Sequence, residues 1–255
     1  MAIALVTGAS AGIGREICRV LAEQGLDIVA LARRAERLES LGGEIRALGR
    51  RFLPLALDLT DRAALAALPD RLPAEWAAVD LLVNNAGLAL GVDPLQSGNP
   101  AEWDQVLDTN VRALLTLIRH FVPGMVARGR GQVINLGSVA GRQSYPGGAV
   151  YCASKAAELA LSRALAMDLV NTPVRVCSVD PGLVETEFSV VRFRGDAARA
   201  AQVYQDIQPL TPRDVAEAVG WVAGRPAHVQ VSELVLLPTC QASAYHVHRG
   251  PFPGA

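Results

Sequence analysis

The chain has 255 residues, of which 51% are hydrophobic and 19% charged, and its formal net charge is −1. A nearly neutral chain has no bulk electrostatic attraction to nucleic acid or to an anionic membrane, and no apolar run reaches the roughly 18 residues of a membrane span. Cys18, Cys152, Cys177 and Cys240 form no CxxC pair and indicate free thiols in a reducing compartment. We therefore expect a cytoplasmic protein that binds neither nucleic acid nor a membrane.

Seven short aliphatic runs alternate along the chain with longer segments of helical spacing. The aliphatic runs cover residues 2–7, 27–32, 52–57, 79–84, 131–137, 174–179 and 232–237. The helical segments cover residues 13–24, 35–48, 61–68, 101–128, 151–170 and 213–223. Runs that are apolar on both faces are typical of parallel strands covered on both sides. The alternation predicts an α/β protein with a single domain over residues 1–255, a Rossmann-type doubly wound fold, and a seven-stranded, mostly parallel sheet with helices on both faces.

Two helix starts and two irregular segments are also visible. Asn99 and Thr211 each precede a proline and are typical N-cap residues. Residues from about 183 to 211 have no strand pattern, and so long a connection predicts a substrate loop or lid. The C-terminal tail, 238–255, is expected to be extended, at a subunit contact or frayed.

The stretch TGASAGIG, residues 7–14, follows the first predicted strand and opens the first predicted helix. Its glycines, at positions 8, 12 and 14, do not have the GxGxxG spacing of the general dinucleotide fingerprint. They still allow a tight turn and a close backbone approach, and the following helix presents unpaired N–H groups to a pyrophosphate. The stretch predicts a phosphate-binding loop; the alternative is a glycine-rich turn without a ligand.

The end of the second predicted strand distinguishes between two dinucleotides. A ribose 2′-hydroxyl is usually bound there by an acidic residue, but this strand ends in Ala32, Arg33 and Arg34, and Asp27 lies at its other end. Guanidinium groups bind phosphate bidentately. The sequence therefore favours NADP(H) over NAD(H), unless both arginines are simply solvated at a helix start.

Lys155 is the only lysine in the chain and follows Tyr151 by four residues. On a helix the two side chains share one face. An ammonium roughly 5 Å from a phenol contributes about 3 kcal/mol at an effective dielectric constant of about 20. We therefore expect Lys155 to lower the pKa of Tyr151 by about two units, towards the range of a catalytic acid or base.

Ser138 and Asn110 are ambiguous when each is taken alone. Ser138 follows the fifth predicted strand, where it could bond a substrate oxygen or simply form a turn. Asn110 is a polar residue on an otherwise apolar helical segment, where a buried and satisfied amide is the commoner case.

Taken together, these motifs resemble the short-chain dehydrogenase/reductase family over essentially the whole chain. The matching residues are TGASAGIG at 7–14, DLT at 58–60, NNAG at 84–87, TN at 109–110, Ser138, YCASK at 151–155 and DPGLVET at 180–186. The resemblance implies an oxidoreductase in which Tyr151 exchanges a proton with the substrate oxygen and Ser138 orients that oxygen. It also implies that Lys155 acts on the phenol and holds the nicotinamide ribose, and that Asn110 supports a water in the proton relay.

The same resemblance implies the cofactor contacts and the assembly. Asp58 would contact the adenine, and residues 181–186 would bracket the nicotinamide. The full implied set is Gly8, Ser10, Gly12, Ile13, Gly14, Arg33, Arg34, Asp58, Leu59, Asn84, Ala86, Gly87, Tyr151, Lys155, Pro181, Gly182, Val184 and Thr186. Helices 101–122 and 151–169 carry broad apolar stripes that pair across two-fold axes in this family. A homotetramer is expected, with a homodimer as the fallback.

The C-terminal third resembles the NADP-dependent 3-hydroxy acid dehydrogenases of this family, which act on serine, allo-threonine or 3-hydroxypropionate. The resemblance covers residues 181–196, 210–222 and 226–238. Because such substrates carry a carboxylate, Arg192 or Arg194 is the predicted clamp and Arg142 a weaker candidate, unless these arginines face solvent.

Several alternatives to this function stay open. Related sequences reduce unrelated ketones or aldehydes, and a non-catalytic NADP(H)-binding sensor could share the fold. An epimerase or dehydratase would usually carry a larger substrate domain. His246 and His248 have strand spacing for a metal but no accompanying carboxylate or cysteine cluster, and we expect no metal site.

Overall fold

The central sheet contains all seven predicted strands, and all its pairs are parallel. A computed structural model describes residues 2–252. Within that range the strand order is β3-β2-β1-β4-β5-β6-β7. The strands are β1 Ile3–Thr7, β2 Asp27–Ala32, β3 Phe52–Ala56, β4 Leu81–Asn84, β5 Gly131–Leu136, β6 Val174–Pro181 and β7 Glu233–Leu236. The expectation of a mostly parallel sheet is therefore met by an entirely parallel one.

The helices lie on both faces of this sheet. They are α1 Gly12–Glu23, α2 Ala35–Ala47, α3 Arg62–Ala66, α4 Pro100–Leu107, α5 Ala113–Arg128, α6 Ala149–Asp168, α7 Phe188–Arg192, α8 Ala197–Gln202 and α9 Pro212–Ala223. Short 3₁₀ turns cover Pro69–Arg71, Ala74–Trp76, Leu95–Ser97 and Val139–Gly141. None of these helices, within residues 2–252, is long and apolar enough to cross a bilayer.

Strand β1 shows why the aliphatic runs are apolar on both faces. Ala4 and Val6 pack into the core on one side of the sheet, while Ile3 and Leu5 pack into the core on the other side. Successive side chains of a strand point to opposite faces, so a sheet covered twice needs both sets to be apolar. The order of the strands reverses between β1 and β4, and the crevice beyond their carboxyl ends is where such folds bind ligands.

Both predicted helix caps form. Asn99 accepts a hydrogen bond from the backbone N–H of Ala101 at 3.1 Å. Thr211 and Asp214 form a reciprocal capping box at the start of α9. These caps satisfy N–H groups that have no partner inside the helix.

The single helix predicted over 101–128 is interrupted. A π-helical turn, Asp108–Arg112, separates α4 from α5. A π-turn inserts one residue into the helical pitch and is found frequently at functional sites. Asn110 lies in the middle of this turn.

The two irregular segments have more structure than their sequence indicates. The predicted loop from about 183 to 211 contains α7 and α8, and Asp196 caps α8 by accepting from the N–H of Arg199 at 2.9 Å. We refer to residues 183–211 as the lid. The tail folds back against it, with Gly250 N–H donating to the carbonyl of Asp206 at 2.7 Å. Residues 238–252 are therefore neither extended nor frayed, while the predicted tail residues 253–255 lie outside the described residues.

Candidate active site

A cleft of about 470 Å³ lies at the carboxyl edge of the sheet, between the strand ends and the lid. All but one of the predicted cofactor-binding residues line it. These are Gly8, Ser10, Gly12, Ile13, Gly14, Arg33, Arg34, Asp58, Leu59, Ala86, Gly87, Tyr151, Lys155, Pro181, Gly182, Val184 and Thr186. The catalytic candidates Ser138, Tyr151 and Lys155 share this cleft with the phosphate-loop residues, although they lie far apart in the sequence.

The exception is Asn84, which does not line the cleft. Its side chain is buried within the sheet and donates to Asn135 Oδ1 at 2.8 Å. The next residue, Asn85, lines the cleft instead, and its amide donates to the Thr7 carbonyl at 2.8 Å. Neighbouring residues at a strand end point in opposite directions, so a shift of one position exchanges the two roles.

The phosphate loop has the geometry of a backbone cradle. Gly8 and Gly12 have φ values of +67° and +51°, which favour glycine. A Cβ atom on Gly14 would lie 2.4 Å from Asn85 Nδ2, so helix α1 packs too closely for a side chain there. No side chain among residues 2–252 caps α1, and its first turn contains no acidic residue. Its N-terminal N–H groups are thus available to an anion.

Two arginines reach the cleft from the end of β2. Arg34 donates to Ser10 Oγ through Nε at 3.2 Å and Nη2 at 3.1 Å, and its Nη1 lies 2.8 Å from Glu187 in the lid. Arg37 donates to the same carboxylate at 2.6 Å, and we call this contact of one carboxylate with two arginines the Glu187 bridge. Hydrogen bonds from Arg37 and Arg34 lower the pKa of Glu187. Arg33 is exposed and lines the cleft beside them.

At the other end of the cleft, helix α6 presents Tyr151 and Lys155. The ammonium of Lys155 lies 5.9 Å from the centroid of the Tyr151 ring. It donates to the Leu136 carbonyl at 2.8 Å and to Glu158 Oε2 at 3.0 Å. Ser138 lies close enough to the Tyr151 phenol to lower its pKa. The side chains of Ser138, Tyr151 and Lys155 therefore lie together at this end of the cleft.

The expected pKa of Tyr151 is wrong in its net direction. Burial raises the pKa of the phenol, and this effect outweighs the lowering by the Lys155 ammonium and by Ser138. The Glu158 carboxylate adds to the increase. The ammonium thus acts in the predicted sense, but a phenol withdrawn from water is costly to ionise, even one that is only half-buried, as Tyr151 is.

Asn110 supports the site from behind. Its amide is 1% exposed, accepts from the N–H of Leu88 at 2.9 Å and donates to the Leu88 carbonyl at 2.9 Å and to Ser154 Oγ at 2.9 Å. These bonds fix the chain after β4 to helix α6. The side chain is therefore a buried and satisfied amide, and any water held at Asn110 would bind its main chain.

The lid supplies one of the two arginines predicted for a substrate. Arg192 lines the cleft, donates to Tyr145 Oη at 2.7 Å and to the Gly147 carbonyl at 3.3 Å, and lies over the Tyr145 ring at 5.2 Å. Its buried Nε has no hydrogen-bond acceptor among the described residues. A guanidinium with an unused donor beside a cleft suits an anionic group of a ligand.

The other two arginine candidates do not line the cleft. Arg194 is outside the residues that line the cleft and binds Glu102 at 2.6 Å and Asp93 at 2.8 Å. Arg142 donates through Nε to the buried Asp180 at 2.8 Å and also binds Glu233. Both guanidinium groups are already occupied by carboxylates of the protein.

Several cleft features were not predicted from the sequence. Tyr145 and Phe188 line the cleft, and the Phe188 ring lies 5.4 Å from that of Tyr151. Gln241 of the tail also lines it and accepts from the N–H of Leu183 at 2.8 Å. Within residues 2–252 no group of three or more potential ligands could hold a metal ion.

A glycine-lined dinucleotide cleft that ends in a serine, a tyrosine and a lysine on these elements defines a class of nicotinamide-dependent oxidoreductases. The chain matches the short chain dehydrogenase family over residues 2–196 and belongs to it. It is 47% identical to the NADP-dependent 3-hydroxy acid dehydrogenase of Escherichia coli strain K12 over 249 residues, 97% of this chain and 99% of that protein. It is 46% identical over 242 residues to a probable NADP-dependent dehydrogenase of Haemophilus influenzae, covering 94% of this chain and 95% of that one.

Solved structures show the same similarity in three dimensions. The closed form of a serine dehydrogenase complexed with NADP⁺ matches with a TM-score of 0.91 and 46% identity, over 97% of this chain and 99% of that one. An alcohol dehydrogenase of the archaeon Thermococcus sibiricus, complexed with 5-hydroxy-NADP, matches with a TM-score of 0.84 and 27% identity, over 96% of this chain and 100% of that one.

Proposed function

We propose that this protein is an NADP(H)-dependent dehydrogenase that interconverts a small 3-hydroxy acid and its 3-oxo form. Candidate substrates resemble serine, allo-threonine or 3-hydroxypropionate. One observation carries the proposal: a single cleft has a glycine cradle and arginines at one end and Ser138, Tyr151 and Lys155 at the other. The curated relative named as an NADP-dependent 3-hydroxy acid dehydrogenase, similar over nearly the whole chain, supports both the cofactor and the substrate class.

The residues of the cleft fit NADP(H). The cradle around Gly8, Gly12 and the start of α1 would hold the pyrophosphate, because backbone N–H groups are available there. Its glycines let the loop take left-handed backbone angles and pack against Asn85 and Thr186. Arg33 and Arg34 would bind the 2′-phosphate, Asp58 the adenine and Lys155 the nicotinamide ribose. The nicotinamide ring supplies the hydride chemistry; the protein contributes placement and proton transfer.

The proton steps are assigned to three side chains of this chain. Tyr151 donates a proton to the substrate oxygen during reduction of the carbonyl and accepts it during oxidation of the alcohol. Ser138 bonds the same oxygen and holds it beside the phenol. Lys155 stabilises the phenolate form by its charge, and the backbone of Asn110 would support the water that returns protons to this set.

Arg192 is assigned to the carboxylate of the substrate. Its Nε is a buried donor without an acceptor, and its Nη1 is held in place by Tyr145. A carboxylate beside it would gain charge-assisted hydrogen bonds. Residues 183–211, which carry Arg192, would then act as a lid that closes on the substrate.

The alternatives are an enzyme for an unrelated ketone or aldehyde, and an NADP(H)-binding sensor. The guanidinium of Arg192, which lines the cleft, favours an anionic substrate over a neutral one. A sensor has no need of the Ser138, Tyr151 and Lys155 set. We further propose that the enzyme is cytoplasmic and homotetrameric, with a dimer as the alternative.

The test is a screen of NADP⁺ reduction with L-serine, L-allo-threonine, 3-hydroxybutyrate, 3-hydroxypropionate and simple secondary alcohols, with NAD⁺ in parallel. We expect turnover of at least one hydroxy acid with NADP⁺ in preference to NAD⁺. If only neutral alcohols are turned over, the protein is an enzyme for an unrelated ketone or aldehyde and the 3-hydroxy acid assignment is refuted. Binding of NADPH without turnover of any alcohol or carbonyl compound would support the sensor.

A further inference from the structure

Glu158 is a buried carboxylate in direct contact with the ammonium of Lys155. Its side chain lies one turn beyond Lys155 on α6 and is 2% exposed. The Lys155 Nζ atom lies 3.0 Å from each of its two carboxylate oxygens. The proposed mechanism gives Glu158 no role, although it touches the group that acts on Tyr151.

The contact is incomplete as a structural ion pair. Only Oε2 of Glu158 has hydrogen-bond geometry towards Lys155, and Oε1 has no hydrogen-bond partner among residues 2–252. A buried carboxylate with an unsatisfied oxygen is costly to the fold. A buried charge of this kind beside a cleft is a candidate for a functional role.

The charged surroundings of Glu158 are few. On α6 they are Lys155 and the ionisable Tyr151, and at the end of β6 the acidic Asp180 opposes its ionisation. Arg142, after β5, is bonded to Asp180 at 2.8 Å. Burial raises the pKa of Glu158 to about 7 although the Lys155 ammonium acts against the increase. The carboxylate is therefore charged at the alkaline pH values where alcohols are oxidised.

The neighbouring π-turn contributes no charge to this position. Its buried side chain, Asn110, is neutral and bonds Ser154 on α6. Burial is the largest single influence on the pKa of Lys155 and lowers it, but Glu158, Tyr151 and Asp180 together raise that pKa above its usual value. Glu158 thus helps to keep Lys155 charged, and its own negative charge partly cancels the effect of Lys155 on Tyr151.

We propose that Glu158 is a positioning residue that sets the effective charge of Lys155, so that Tyr151 is held as a protonated phenol poised to donate to a carbonyl. This inference rests on the proposed function, because it assigns Tyr151 the proton transfer. Near neutral pH the cofactor-free enzyme is then in the protonation state from which reduction of a 3-oxo acid begins. Oxidation of the hydroxy acid needs the phenolate and so a more alkaline solution.

The spacing of Tyr151 and Glu158 along α6 gives the size of the expected change in the Tyr151 pKa. Tyr151 and Glu158 are seven residues apart, about 10 Å along the axis at about 1.5 Å per residue. One charge at about 10 Å and an effective dielectric constant of about 20 changes a phenol pKa by about one unit. Replacing Glu158 should therefore raise kcat/KM for oxidation by up to about tenfold on the acidic limb of the pH profile.

The experiment compares Glu158→Gln with the wild type in two measurements. The first is the pH profile of kcat/KM for NADP⁺-dependent oxidation of the preferred substrate. The second is a ¹³C NMR titration of the cofactor-free protein with labelled tyrosine, in which four tyrosines must be resolved. Tyr151→Phe assigns the relevant resonance. We expect Glu158→Gln to move both the kinetic limb and the Tyr151 resonance to lower pH.

The controls separate this inference from a general effect of charge or packing. Glu75→Gln removes the same charge from an exposed position and should move neither measurement. Glu158→Met removes the charge without adding a hydrogen-bonding group and should act in the same direction as Glu158→Gln. An unchanged or more alkaline Tyr151 titration in both Glu158 variants would overturn the inference. Absence of wild-type turnover would instead refute the proposed function, and the NMR titration would still test Glu158.

Discussion

Replacing Arg34 with glutamine tests the assignment of the cofactor most directly. The guanidinium of Arg34 is held at the edge of the cleft by Ser10 at 3.1 Å and by the Glu187 bridge at 2.8 Å. Glutamine keeps part of the length of the side chain but removes the charge and the planar fork. A 2′-phosphate would lose its bidentate partner, whereas a 2′-hydroxyl would lose very little.

The magnitude follows from the exposure of the side chain. Hydrogen bonds to charged groups contribute about 1.5–3 kcal/mol each when they are well formed. The Arg34 side chain is 39% exposed. Solvent screening therefore reduces the total for two bonds to about 2 kcal/mol. That free energy corresponds to an increase in KM or Kd for NADP⁺ of about 30-fold.

The assay measures kcat/KM with NADP⁺ and with NAD⁺ for the variant and the wild type. Arg130→Gln is the matched control, because Arg130 is exposed and precedes β5 at the opposite edge of the sheet. We expect the NADP⁺ efficiency of Arg34→Gln to fall about 30-fold and the NAD⁺ efficiency to change little. Equal losses with both cofactors, or a similar loss in Arg130→Gln, would refute the reasoning.

Three further outcomes are expected. Tyr151→Phe should lower turnover by about 10²- to 10⁴-fold while NADPH titration shows that the variant still binds the cofactor; retained turnover would remove Tyr151 from the mechanism. Arg192→Gln should raise KM for hydroxy acids by about tenfold or more and spare neutral secondary alcohols, whereas Arg194→Gln should change neither; a uniform loss would contradict the carboxylate clamp. Hydrogen bonds from two arginines lower the pKa of Glu233 from 4.5 to about 2. The stability this gives is complete above the unfolded value and disappears as pH falls through about 2, so the difference in Tm between wild type and Glu233→Gln should narrow as the solution is acidified. A Tm difference that does not change with pH would show that the charge of Glu233 is not its source.

The sheet and the cofactor cradle were predictable because local chemistry determines them. Strands buried on both faces need unbroken aliphatic runs, and each run appears in the sequence within a few residues of its strand. The caps at Asn99 and Thr211 are local hydrogen bonds between neighbours. The glycines of residues 7–14 follow from the close approach of Gly14 to Asn85.

The features that were missed depend on distant partners. Arg194 is held by Asp93, which lies 101 residues away in the sequence. Burial decides the net direction of the Tyr151 pKa. One of the side chains packed on the Tyr151 ring, Phe188, comes from a segment far along the chain. Which of Asn84 and Asn85 faces the cleft depends on a shift of one residue at the end of β4. Glu158 was detectable in principle, since a charge at the third position after Lys155 falls on the buried face of a helix.

The π-turn at Asp108–Arg112 restricts how this chain can change its length. One residue of helix corresponds to a rotation of about 100°. Deleting a residue there would restore a regular pitch but would release Asn110 from Leu88. A deletion within α5 itself would rotate Leu117, Phe121 or Met125 away from the core they share with β5. We therefore expect the surface connections to tolerate insertions and deletions. This helix should tolerate only substitutions that leave its length unchanged.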